Sequence, residues 1–90
     1  KKYSQKFVDD RDWSQFHTPK NIAMGTAVEA AELLEIFQWL TEEQSFAIKN
    51  DPAALQRVKD EAADIFHFII RLSSVLDFDL INAFWERGLL

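Results

Sequence analysis

Cysteine is missing altogether from these 90 residues, so neither a disulfide framework nor a thiolate metal site is available to the chain. Glycine and proline are scarce, two of each, and no stretch alternates apolar with polar residues as a half-buried strand does. The fold class that remains is all-α. No apolar run approaches the ~20 residues of a membrane-spanning helix, and no signal peptide opens the sequence. A soluble, cytoplasmic protein is the expectation. Basic residues are also in short supply: ten Lys and Arg stand against fifteen Asp and Glu, for a net charge of −5. Nucleic-acid polymers need a basic face for their phosphates, and this balance argues against one. A small phosphorylated ligand stays open, because a bound cation can reverse the local field.

What the chain does have is apolar material. Hydrophobic residues make up 48% of it, with three Trp and eight Phe. A single domain spanning 1–90 leaves much of its surface unburied when alone, so the expected fold is completed by oligomerisation, as a homodimer or homotetramer. Residues 1 to about 14 read as a first helix. Thr18-Pro19 then supplies a capping hydroxyl followed by Pro at the first helical position, starting a helix expected to run to Leu40 or Thr41. The polar segment Thr41 to Asp51 reads as a connection, with room for one helical turn near Phe46-Ala47-Ile48. Asp51-Pro52 repeats the cap-then-proline signal and opens a third helix to about Leu76. Asp79 caps a short fourth one to about Arg87. The expected architecture is a helical bundle with two long antiparallel helices.

Glu29, Glu32 and Glu35 are the only charged residues between Asn21 and Leu40. Spaced three apart, they form one slowly drifting stripe on a helix that is otherwise mostly apolar. The third helix carries a seam of its own. At ~100° per residue, Asp60, Glu61, Asp64, His67 and Arg71 fall within about 60° of Asp64's direction. Antiparallel packing would let Glu29 and Glu32 meet Glu61 and Asp64. A lone E-x-x-E on a helix is ordinarily a solvated pair. Here the missing Lys or Arg at i+4 on the first of these helices argues for a cation from elsewhere. Four carboxylates without Cys or His form a hard, oxygen-rich site suited to Mg²⁺, with Mn²⁺ as substitute, and to cleavage of phosphate esters or anhydrides. Asp64-x-x-His67 also resembles the carboxylate-x-x-His step of di-iron bundles, but that architecture needs a second such step.

Glu29-x-x-Glu32 followed by Glu61-x-x-Asp64 resembles the split E-x-x-E…E-x-x-D signature of the MazG-like all-α NTP pyrophosphatases. The run Arg11-Asp12-Trp13-Ser14-Gln15-Phe16-His17-Thr18-Pro19-Lys20-Asn21 and the run Glu35-Ile36-Phe37-Gln38-Trp39 are similar to the dCTP pyrophosphatase branch. The resemblance covers roughly Phe7 to Ala83. It implies Mg²⁺-dependent hydrolysis of a nucleoside triphosphate between its α- and β-phosphates, giving a monophosphate and pyrophosphate in a house-cleaning role. By position it implies metal ligation by Glu29, Glu32, Glu61 and Asp64. One carboxylate would act as base, with Glu32 and Glu35 as the catalytic candidates. Trp13, Ser14, Gln15, Phe16, His17, Lys20, Trp39 and Phe68 match substrate-binding positions; aromatic faces stack a base, and His17 or Lys20 would meet phosphate or sugar.

The sequence departs from that pattern in three places. Phe68 stands where relatives often carry Tyr, which removes a hydroxyl. Ser4 stands where some relatives have a substrate-contacting His. The family's Lys…Asn-Arg…Tyr-Pro segment after the fourth helix is not in these 90 residues, so its contacts are expected to be absent, replaced or supplied by a neighbouring subunit. The alternative function is a non-catalytic nucleotide-binding or helical assembly module that keeps the fold.

Overall fold

A computed structural model describes residues 18–89 of the chain. All regular structure in this span is helical: α1 (Pro19–Phe37), α2 (Glu42–Ala47), a single 3-10 turn (Ile48–Asn50), α3 (Pro52–Val75) and α4 (Leu80–Glu86). The helix expected over residues 1 to about 14 lies outside the described residues. Each helix start has a chemical cause. Thr18 accepts a hydrogen bond from the Asn21 amide at 3.1 Å, Asp51 accepts one from Ala54 at 3.2 Å, and Asp79 accepts one from Asn82 at 3.0 Å. Pro19 and Pro52 each occupy the first turn, where a missing N–H costs nothing.

Two boundaries differ from the sequence expectation. The first long helix ends at Phe37 rather than Leu40, because the Leu40 amide turns back to the Phe37 carbonyl at 2.9 Å. The connection after it is itself mostly helical. Thr41 accepts from the Gln44 amide while the Gln44 side chain accepts from the Thr41 amide, a reciprocal capping box that nucleates α2.

The principal packing is α1 on α3. As α1 advances from Gly25 through Glu29 to Glu32, its neighbour on α3 retreats from Phe68 through Asp64 to Glu61. The two long helices are therefore antiparallel, as the sequence led one to expect. Gly25 makes the close approach possible: a Cβ there would lie 3.0 Å from Cε1 and Cζ of Phe68. Among the described residues, the buried apolar side chains are Ile22, Ile36 and Phe68, with Ile22 fully so. The outer sides stay uncovered. Phe66 and Ile70 of α3 are exposed, as are Met24, Val28 and Leu34 of α1 and Ile81 and Trp85 of α4. No helix among the described residues is long and apolar enough to cross a membrane.

Candidate metal centre

The middle of each polar seam faces the partner helix. Glu29, midway along α1, retains 2% of its surface exposure, and Asp64 of α3 retains 4%. Glu32 and Glu61 are half-buried beside them. Burying carboxylates against one another is costly unless a proton or a cation intervenes. Ligand oxygens of Glu29, Glu32 and Glu61 all lie within 4.8 Å of one another. Asp64, one turn from Glu61, borders this trio closely enough for its charge to act on Glu29.

The carboxyl of Glu29 is pushed up from 4.5 to about 8. Loss of hydration on burial is the largest cause. A hydrogen bond with the Glu61 side chain follows, then the negative charges of Glu32, Asp64 and Glu61. A carboxyl–carboxyl hydrogen bond requires a proton between the two groups, so without a cation the pair holds one. Even so, Oε1 of Glu29, Oε1 of Glu61 and Oδ2 of Asp64 are buried oxygens that accept no hydrogen bond. Such orphaned acceptors cost about 1–3 kcal/mol each in general, and a cation seated among them would remove that cost. The donor set is all oxygen, which suits a hard divalent ion. The residues fit the group the sequence pattern calls for.

The other sequence candidates fall in different places. A helical step of three residues is ~60° short of a full turn, so six residues carry Glu35 about 120° around α1 from Glu29. It is exposed and outside the trio. Lys20 precedes Glu29 by nine residues, which sets it about 180° away on the opposite side of α1. Trp39 stands in the turn after α1 and is 86% exposed, open to stack on a flat ligand. Phe68 is 5% exposed, its ring laid on Gly25. Trp13, Ser14, Gln15, Phe16 and His17 lie outside the described residues. His67 is half-buried with its ring centroid 6.1 Å from that of Phe68, and it takes no part in the carboxylate trio. The position that sequence reasoning passed over is Gly25. A glycine inside a helix, four residues before a buried Glu, is the local signal for such a close approach.

This arrangement of helices recurs in a solved structure. A pyrophosphatase from Archaeoglobus fulgidus superimposes with a TM-score of 0.76 and 34% identity, over 93% of this chain and 77% of that one. The chain belongs to the MazG-like NTP pyrophosphatases. Among curated proteins, this MazG-like chain is 32% identical over 78 residues to dCTP pyrophosphatase 1 of Bos taurus. It is 31% identical over 75 residues to dCTP pyrophosphatase 1 of Homo sapiens. Those matches take in 87% and 83% of the MazG-like chain but 46% and 44% of the relatives, so it spans about half of their length. No family model matches it.

Proposed function

We propose that the chain is a Mg²⁺-dependent nucleoside triphosphate pyrophosphohydrolase, acting on the cytoplasmic nucleotide pool and converting a (d)NTP to (d)NMP and pyrophosphate. A dCTP-like or modified nucleotide is the proposed substrate. The observation that carries this reading is the buried trio Glu29, Glu32 and Glu61 with Asp64 at its edge. A purely structural helix pair gains nothing from that arrangement, whereas a phosphate-handling site needs it. The likeness to a pyrophosphatase of Archaeoglobus fulgidus and to mammalian dCTP pyrophosphatase 1 supports it.

In this reading Glu29, Glu32, Glu61 and Asp64 hold the ion. When bound, Mg²⁺ supplies charge neutralisation for the triphosphate and orientation of its oxygens. Holding the ion would require Glu29 and Glu61 without the proton they share. Glu32 is the proposed acceptor of a proton from the attacking water. Trp39 stacks on the base, joined by the aromatic run Trp13 to His17, while Phe68 holds the helix spacing beneath. Lys20 and Glu35 stand outside this assignment because the helix turns them away from the trio. The apolar outer sides of the helices are covered in a homo-oligomer.

The test is pyrophosphate release from a panel of canonical and modified dNTPs with Mg²⁺. Wild type releases pyrophosphate and the monophosphate from at least one member, and Glu32→Gln lowers the rate by at least ~10³-fold while keeping its helical signal. Nucleotide binding with no turnover on any substrate would favour the non-catalytic module instead.

A further inference from the structure

Among the described residues, every Lys and Arg but one is exposed. Lys20, Lys49, Arg57, Lys59 and Arg87 stand in solvent, whereas Arg71 is half-buried. Its Nε atom is shielded from solvent altogether. Seven residues make almost two full turns, so Arg71 leaves α3 within about 20° of the direction of Asp64. That direction faces α1, against which Asp64 and Phe68 are buried. The root of the guanidinium is thus held at the junction of the two long helices, ~10 Å beyond Asp64 along the α3 axis. We propose that Arg71 binds the β- and γ-phosphates of the nucleotide, the part that departs as pyrophosphate.

The order of groups along the helix pair carries this. Because α1 and α3 are antiparallel, Trp39 beyond the end of α1 and Arg71 near the end of α3 lie on opposite sides of the carboxylates. A nucleoside triphosphate has the same order: a flat base, a sugar, then a chain of phosphates. With its base on Trp39 and the start of that chain at the carboxylates, the last phosphates extend toward Arg71. Charge points the same way. The carboxylates repel a triphosphate, and an ion among them offsets only the oxygens that it touches. The terminal oxygens need a cation of their own. A guanidinium stays charged when half-buried and grips phosphate through two parallel N–H donors. Its five donors let it do so while keeping another partner. Arg57 leaves α3 at a similar angle, but toward the Trp39 end, and it is exposed. The proposal rests on the function proposed above and names the group that orients the substrate.

The two products test the two ends of the site separately, because each binds without turnover. Calorimetry with Mg²⁺ present gives the affinity of the full chain for pyrophosphate and for dCMP. Arg71→Gln is expected to weaken pyrophosphate by about 10–100-fold and to leave dCMP within about twofold. Arg71→Lys keeps the charge without the fork, so its loss falls between. It also carries the test should Arg71→Gln fail to fold. Trp39→Ala is expected to do the reverse, weakening dCMP and sparing pyrophosphate. Suppose the wild-type chain releases pyrophosphate from a dNTP, yet the Arg71 variants bind pyrophosphate as it does or lose both products alike. Arg71 is then no phosphate ligand, and the proposed function stands without it. If the wild-type chain binds neither product and turns over no dNTP, the function and the part of Arg71 in it fall together.

Discussion

Placing Glu29 between two helices costs free energy that a proton returns, and that the proposed cation would return in its place. The folded chain keeps that carboxyl protonated up to about pH 8, while the unfolded chain releases the proton near 4.5. Between those values the folded state binds more protons. The stabilisation is therefore complete below about 4.5 and is lost as pH rises through 8. Thermal melts of the chelator-treated protein should show a melting temperature that declines across that window, with Glu29→Gln flattening the decline. A wild-type melting temperature unaffected by pH there would contradict the burial of this group. Gly25 supports the same site by packing. Alanine would gain up to ~1 kcal/mol of helix propensity, but its Cβ would press on Phe68 at 3.0 Å. The ring has little room to move, so crowding of ~1–3 kcal/mol prevails. Gly25→Ala is expected to lower the urea midpoint, and adding Phe68→Leu should recover part of the loss.

Helix ends in this chain are decided by single residues, and most of the starts were legible for that reason. Thr18-Pro19 and Asp51-Pro52 announce α1 and α3 through a capping oxygen and a proline that needs no amide partner. The stop of α1 was less legible, because Gln38, Trp39 and Leu40 have no residue type that forbids a helix. The chain leaves α1 only through the turn bond to Phe37. Helix α2 was read as a connection because six residues give too short an apolar period to see. The capping box of Thr41 and Gln44 was its only written signal. At the end of α3, Asp77 takes the left-handed conformation (φ 59°) that Gly88 takes after α4 (φ 72°). There the Phe78 amide donates to the Ser73 carbonyl at 2.9 Å and the Asp77 amide donates to Ser74 at 3.3 Å. Glycine suits that position better than any residue with a Cβ. Asp77→Gly is expected to stabilise by about 0.5–1 kcal/mol, measured by denaturant unfolding. A loss of stability would mean that the Asp77 side chain contributes more than its backbone strain costs.

Across the described residues the two long helices turn Glu29, Glu32, Glu61 and Asp64 toward each other and leave apolar surface outside, with Phe66 60% exposed on the helix whose Asp64 is buried. The two acidic seams, and their meeting across antiparallel helices, were legible because a spacing of three or four residues leaves little choice of face. Which candidates share the site was less so. Lys20 and Glu35 share α1 with Glu29 and Glu32, yet helical geometry turns them elsewhere, and the contact of Gly25 with Phe68 exists only once two helices meet. In the proposed function the buried carboxylates form a divalent-metal site, and the ion displaces the proton that Glu29 otherwise keeps. Calorimetric titration of the full chain with Mg²⁺ or Mn²⁺ at pH 7, repeated in two buffers of different ionisation enthalpy, tests it directly. Saturable binding with release of about one proton per ion, greatly weakened in Glu32→Gln, is the predicted result. Absence of binding, or binding that Glu32→Gln leaves unchanged, would contradict it.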